Sequence, residues 1–388
     1  MVLGCAPALE LAVPWWQEAG DLVAALRERY GLDTVVLRLV SASTTEFQPG
    51  ADVAYAVELL GDLPPGLSLE PCEELDLGSE EDPLRMPWAR LGGVAADVEW
   101  ADRELARLNR RRTGPPAQVR SWNLSLLLRL PTDHGVVWLK HVPPFLRHEG
   151  EIMELVRAES AAVPTIFAAD RGQGRLLLDD VAGQDMYNVD SELAIRMVES
   201  HVRLQAGMTG RRGAILATGA PDWGAAALLH EVTNLLAPEG MVDGLDQFAS
   251  RLPAMLEALY SCGLGDTLIH GDFFPGNFRF DGRRLVLLDW GDSGWGHPLL
   301  DMTAFLERIR PEQVSRVRDT WIQAWNEAYP GADVSRAADL IRPIGAVRQA
   351  VIYRRFLDGI EASERVYHRA DVPRWLRRAI ALSLAGEG

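Results

Sequence analysis

The segment His270-Gly271-Asp272-Phe273-Phe274-Pro275-Gly276-Asn277 sets an aspartate five positions ahead of an asparagine. Phosphoryl transfer calls for such a pair. A carboxylate accepts or orients the proton of an attacking hydroxyl, and an amide oxygen can ligate magnesium, which takes hard oxygen donors. Pro275-Gly276 supplies a tight turn able to bring both side chains to one side. Twelve positions beyond Asn277, Asp289 follows the apolar run Leu285-Val286-Leu287-Leu288. Phe280-Asp281-Gly282-Arg283 between them reads as a hairpin turn, so Asn277 and Asp289 are expected near the ends of adjacent strands, within reach of one metal.

A second signal is compositional. Of the 39 basic side chains, Lys140 is the single lysine and the other 38 are arginines. A compact ammonium reaches phosphate oxygens in a confined pocket where a planar guanidinium fits poorly, so this lysine is a candidate phosphate contact.

Those residues must be held by a scaffold. Residues 1–95 read as an accessory α/β domain, with a helix over 15–30, strands over 35–40 and 53–59, and a Pro/Gly-rich stretch to about residue 86. Residues 96–118 read as a helical linker, amphipathic over 99–110 and ended by Arg110-Arg111-Arg112-Thr113-Gly114-Pro115-Pro116. From 119 to 183 short apolar runs dominate: 124–130 and 135–140 about a hairpin, a helix over 146–162, then strands over 164–169 and 174–178. Residues 184–388 are mainly helical, interrupted by 268–301, with breaks expected at Pro330 and Pro373. The fold class is therefore α+β: a small sheet-rich lobe, a mainly helical lobe, and an extra amino-terminal α/β domain.

Taken singly, each motif has an ordinary explanation, such as an Asx turn for Asp272 or a strand-end turn for Asp289. Their order along the chain is what carries weight, and here a family resemblance enters. His270-Gly271-Asp272 and Asp289-Trp290 resemble signatures of the aminoglycoside phosphotransferases and related small-molecule kinases. Gly296-His297-Pro298-Leu299-Leu300-Asp301 is similar to that family's Gly-Asp-Pro element, with His297 in place of the usual aspartate. The resemblance implies a two-lobed protein-kinase-like fold in which Lys140 lies on the third strand of the small lobe and holds nucleotide phosphates. The next helix must supply a carboxylate to steer it; the apolar pattern Ile152, Met153, Val156 favours Glu149, with Glu151 and Glu154 as alternatives. Asp179 and Val181 fall in the linker that would meet the adenine. Ser121 and Asn123 replace the Gly-rich phosphate loop. The resemblance further implies Asp272 as the residue orienting the acceptor, Asn277 and Asp289 as magnesium ligands, and His270 and Asp301 as supports of the catalytic loop. It implies ATP or GTP as donor and a hydroxylated small molecule, such as an aminoglycoside or another antibiotic, as acceptor.

Other classes fit less well. A net charge of −16 disfavours nucleic-acid binding. No G-x-x-x-x-G-K-[ST], H-E-x-x-H or G-x-S-x-G motif occurs. No apolar run suits a membrane span. Val2-Leu3-Gly4-Cys5 superficially resembles a lipoprotein cleavage box, but no signal region precedes it. Cys5, Cys72 and Cys262 show no paired spacing, which suits a reducing compartment, and the cytoplasm is expected. A homodimer is compatible with the sequence. The rival from another class is a catalytically silent kinase-like protein that binds a nucleotide or a partner. A kinase of polypeptides is disfavoured, since 289–301 is too short for a long activation loop.

Overall fold

The computed structural model describes residues 3–72, 76–79, 81–159, 162–236 and 242–385. Contacts divide the chain into two units. The first comprises Met1–Phe145, Ile166–Asp180 and Phe356–Ala370; the second comprises Leu146–Thr165, Val181–Arg355 and Asp371–Gly388. These boundaries differ from those read in the sequence: the amino-terminal stretch, the presumed linker and the small-lobe strands belong to one unit.

In the first unit, α1 (Gly20–Tyr30) precedes the antiparallel pair β1 (Thr34–Ala42) and β2 (Val53–Leu59). Helix α1 starts five residues later than the apolar spacing suggested, and a left-handed Gly31 ends it. Helix α2 (Gly93–Arg107) then leads into β3 (Ala117–Trp122), β4 (Ser125–Thr132), β5 (Gly135–His141), β6 (Ile166–Asp170) and β7 (Arg175–Asp179). These five strands form a sheet of order β3-β4-β5-β7-β6, antiparallel throughout. Alternation along β5 buries Val137, Leu139 and His141. Val137 and Leu139 join a core with Trp100 and Leu105 of α2, Trp88 and Ile360, so the intervening Trp138 and Lys140 lie on the opposite face.

The amino-terminal stretch is joined to this sheet through a side chain. Gln118 of β3 accepts a hydrogen bond from Val36 N at 2.8 Å and donates one to Val36 O at 2.7 Å, so its amide continues the β-ladder from β1. A second tie comes from residues 356–370. Glu361 bonds Arg38 at 3.3 Å and Arg85 at 3.0 Å, all three nearly shut off from water, and Glu364 accepts Leu39 N at 2.9 Å. Tyr367 packs against Trp16, Phe47 and Trp122. Sequence periodicity assigned this segment to the helical lobe; the ion pairs and rings that recruit it are hundreds of positions away and leave no local trace.

The cysteine expectation needs correction. Cys5 and Cys72, 67 positions apart, form a disulfide with Cα atoms 5.5 Å apart. A backbone bridge between Cys5 and Glu70 brings them together. The argument for a reducing compartment from unpaired cysteines therefore lapses.

The second unit opens with α3 (Glu149–Glu159) and β8 (Gln184–Asp185), then α4 (Ser191–Met208), α5 (Arg212–Ala217), α6 (Ala225–Leu236) and α7 (Leu245–Tyr260). Asp190 caps α4 by accepting Leu193 N at 2.8 Å. Four short strands follow, β9 (Thr267–Ile269), β10 (Phe278–Phe280), β11 (Leu285–Leu287) and β12 (Gly294–Gly296), and then α8 (Leu299–Leu306), α9 (Pro311–Ala328), α10 (Val334–Gly359) and α11 (Asp371–Ala385). The break expected at Pro373 falls just before it, between α10 and α11, and the proline sits in the first turn of α11, where a missing N–H costs nothing. Among the described residues no helix is long and apolar enough to cross a membrane.

Burial, with the charge of Glu361 adding to it, pushes the Glu364 carboxyl up from 4.5 to about 8. A group whose folded pKa exceeds its unfolded one supports the fold fully below the unfolded value and loses that support as pH rises. Glu364→Gln keeps an acceptor for Leu39 N, and its melting temperature should fall less than the parent's between pH 4.5 and about 8. Parallel melting profiles for the two proteins across that range would show that the carboxyl titrates normally.

Candidate functional site

The densest polar arrangement in the second unit surrounds Asp272. The chain leaves β9 at Ile269 and turns through Gly271, whose φ of +86° is left-handed. A Cβ there would overlap the Asp292 carbonyl, so the position demands glycine. The loop hangs on Asp301, a buried carboxylate at the start of α8. It accepts His270 N and Gly271 N, each at 2.8 Å, His201 Nε2 at 2.7 Å and Gln205 Nε2 at 3.1 Å. Burial works against its charge, but the bond and charge of His201 and the His270 N–H outweigh it and hold the carboxyl below its ordinary range.

His270 is fully buried and donates from Nε2 to Leu288 O at 2.9 Å. Burial drives its pKa down, so the neutral ring serves as a tether to the end of β11. Phe273 anchors the loop from below, stacked on His201 and Phe305.

Asn277 donates from Nδ2 to Asp272 O at 2.9 Å and to Asp272 Oδ2 at 3.1 Å. With its nitrogen engaged, the atom this amide can offer a cation is its oxygen. Strands β10 and β11 pair as Phe278↔Leu287, and Leu288 N bonds Asn277 O at 2.8 Å. That register sets Asp289 one residue beyond the partner of Asn277, at the expected strand ends. Asp289 is held at φ +61°, a conformation rare for non-glycine residues, where the chain bends sharply from β11 into the turn at Trp290. The pair fits magnesium in chemistry: one carboxylate and one amide oxygen, flanking the ends of two paired strands, suit a hard cation that keeps waters and phosphates as its other ligands. Among the described residues no three His, Cys, Asp or Glu side chains group to cage a metal unaided.

Glu149, buried at the start of α3, accepts Trp290 N at 3.2 Å and so braces the turn after Asp289. Of the alternatives on that helix, Glu154 is on the surface beside Arg157 at 3.6 Å. In the first unit, Lys140 lies mid-sheet, paired with Leu127 and Leu176, and Asp179 ends β7 opposite Val137. The Val181 carbonyl is taken by Arg279 Nε at 2.7 Å, so as a linker acceptor it is already engaged.

Ser121 and Asn123, expected to hold phosphate, are 2% and 3% exposed. Ser121 Oγ donates to Leu37 O at 3.4 Å and Asn123 Oδ1 meets His368 at 3.2 Å. The docking of β1 and residues 356–370 draws this turn into the interior.

Sequence reasoning missed Arg348, His201 and Gln205. The Arg348 guanidinium is fully buried, donates to Gly271 O at 3.3 Å and Asp292 O at 3.4 Å, and lies 4.7 Å from the Trp223 ring. It clamps the turns that carry Asp272 and Asp289, and burial lowers its pKa to about 10. All three sit on ordinary-looking helices, and no spacing marks them.

Comparison with known proteins follows the same line. The profile of the phosphotransferase enzyme family (APH) matches residues 117–335. A choline/ethanolamine kinase family protein from Mesorhizobium loti is similar in fold, with a TM-score of 0.50 and 18% identity over 74% of this chain and 94% of that one. A macrolide 2'-phosphotransferase from Brachybacterium faecium gives 0.51 and 17% over 72% and 98%. A choline kinase from Streptococcus pneumoniae gives 0.53 and 10% over 74% and 98%. A comparison with curated protein sequences found no match. At these identities the structural likeness establishes the protein-kinase-like fold alone.

Asp301→Asn would turn an amide NH2 toward N–H groups that now donate to a carboxylate. A loss of about 2–4 kcal/mol is expected, read as a lower urea midpoint. Because the folded pKa of Asp301 is depressed, the parent's stability should also fall as pH drops through the acid range, and Asp301→Asn should lose that component. A variant as stable as its parent would remove Asp301 from its place as the loop's anchor.

Proposed function

Since this chain belongs to the phosphotransferase enzyme family, we propose that it moves the γ-phosphoryl group of magnesium-bound ATP or GTP onto a hydroxyl of a small molecule. The observation that carries the reading is the Asp272–Asn277 hydrogen bond beside a strand register that brings Asp289 alongside Asn277.

In this scheme Asp272 orients the acceptor hydroxyl and takes its proton. The acceptor oxygen bonds the γ-phosphorus, the bond to the β-phosphate oxygen breaks, and its electron pair leaves with the nucleoside diphosphate. Asn277 and Asp289 would hold magnesium, which when bound neutralises charge on the phosphates. Lys140, on the face of β5 opposite the core, is the candidate from the sheet for nucleotide phosphates. Glu149 braces the Asp289 turn, and the backbone from Asp179 onward is the candidate for the base. Catalysis of this kind is positioning and electrostatics, which accords with the effort spent fixing both turns.

A second reading, a catalytically silent nucleotide- or partner-binding protein, draws support from the burial of Ser121 and Asn123, which removes one source of phosphate contacts.

Magnesium with ATP or GTP at about 100 times its dissociation constant should stabilise the protein by about 2.7 kcal/mol, a melting shift of a few degrees. Asp289→Ala should abolish the magnesium-dependent part. Asp272→Ala should keep the shift yet lose roughly 10²–10⁴-fold in turnover. The absence of any shift with either nucleotide would favour the silent protein.

A further inference from the structure

Arg308, in the connection after α8, takes no part in the roles assigned so far. Its Nη2 lies 3.3 Å from Asp272 Oδ1, with the arginine side chain 42% exposed and the aspartate 28%. Its guanidinium carbon stands 4.3 Å from the centroid of the Phe274 ring. Both contacts are to the loop that carries Asp272, so this cation is fastened to the acceptor-orienting carboxylate while much of it faces solvent.

The neighbouring charges are already matched. Glu307 meets Arg378 at 2.7 Å and Asp371 meets Arg374 at 2.5 Å. Tyr353 lies within electrostatic reach of Asp371, Asp272, Arg308 and Arg374. The acid partner of Arg308 is therefore Asp272 itself. Tyr187, 63% exposed, lies 6.3 Å from Phe274, which adds an aromatic side to the same loop.

A half-exposed guanidinium beside the carboxylate that orients the acceptor hydroxyl stands where the substituent next to that hydroxyl would lie. An acceptor with an anionic group next to its hydroxyl would match it: its carboxylate or phosphate would occupy Arg308 while Asp272 meets the hydroxyl. A cationic acceptor would instead set an ammonium beside the guanidinium, an unfavourable pairing in a partly desolvated site. We infer that Arg308 determines acceptor specificity and that the acceptor is a hydroxylated carboxylate or phosphate ester, not an amine. This rests on the phosphotransferase reading above.

The test uses the full chain with magnesium and the nucleotide that stabilises it, adding glycerate, glycerol 3-phosphate or choline at millimolar concentration and reading the further melting shift. One or both anions should raise the melting temperature and choline should not; which anion does so separates a carboxylate from a phosphate ester. Arg308→Ala should weaken apparent anion affinity roughly tenfold, Arg308→Lys should recover part of it, and both should keep the nucleotide shift. A shift with choline, an equal anion shift in Arg308→Ala, or no shift with either anion would overturn the inference while leaving the phosphotransferase reading intact. Failure of the nucleotide itself to shift the protein would instead sink that reading, and this inference with it.

Discussion

The carboxylate of Asp301 is the interaction on which the second unit's chemistry depends. Four donors converge on it, two of them consecutive backbone N–H groups of the loop that carries Asp272. A buried charge without partners would be ruinous; one with four becomes a rigid node, since each donor would be orphaned by movement of the others. The left-handed turn at Gly271, the neutral His270 tether and the Arg348 clamp all take their positions from that node. The resulting precision comes from buried residues. It is inherited by Asp272 through backbone geometry.

Much of the site was legible in the sequence because its signals are local. The β10–β11 hairpin announces itself through an apolar run and Asp281-Gly282, where Asp281 accepts the N–H groups of Arg283 and Arg284. Strand β2 spans Val53–Leu59, the interval its apolar alternation indicates. The spacing of Asp272, Asn277 and Asp289 is likewise short-range. What escaped depends on partners far along the chain. Gln118 falls at the end of the presumed linker and carries no signal until its amide is found closing a ladder with Val36. Glu361 and Glu364 fall in a stretch read as part of the helical lobe, yet they are drawn inside by Arg38, Arg85 and a strand N–H. The Cys5–Cys72 pairing is of the same kind, set by a backbone bridge and not by any cysteine spacing.

The turn between β3 and β4 shows how such distant ties change a local motif. In a Gly-rich loop, bare backbone N–H groups are presented to phosphate. Here Trp122 packs on Tyr367 and Asn123 bonds His368, so the same turn is filled with side chains and turned to structural use.

The first unit is assembled from three stretches of chain, the last of which begins at Phe356. Ile360 belongs to the same core as Leu126 and Val137, and Glu361 neutralises two otherwise buried arginines. During synthesis, then, the amino-terminal strands leave the ribosome with an incomplete interior and two uncompensated guanidinium groups. Vectorial folding, domain by domain from the amino terminus, is the usual order for long chains. Here the strands of the first unit wait for residues 356–370, which are made long after them, and stay provisional until that segment arrives.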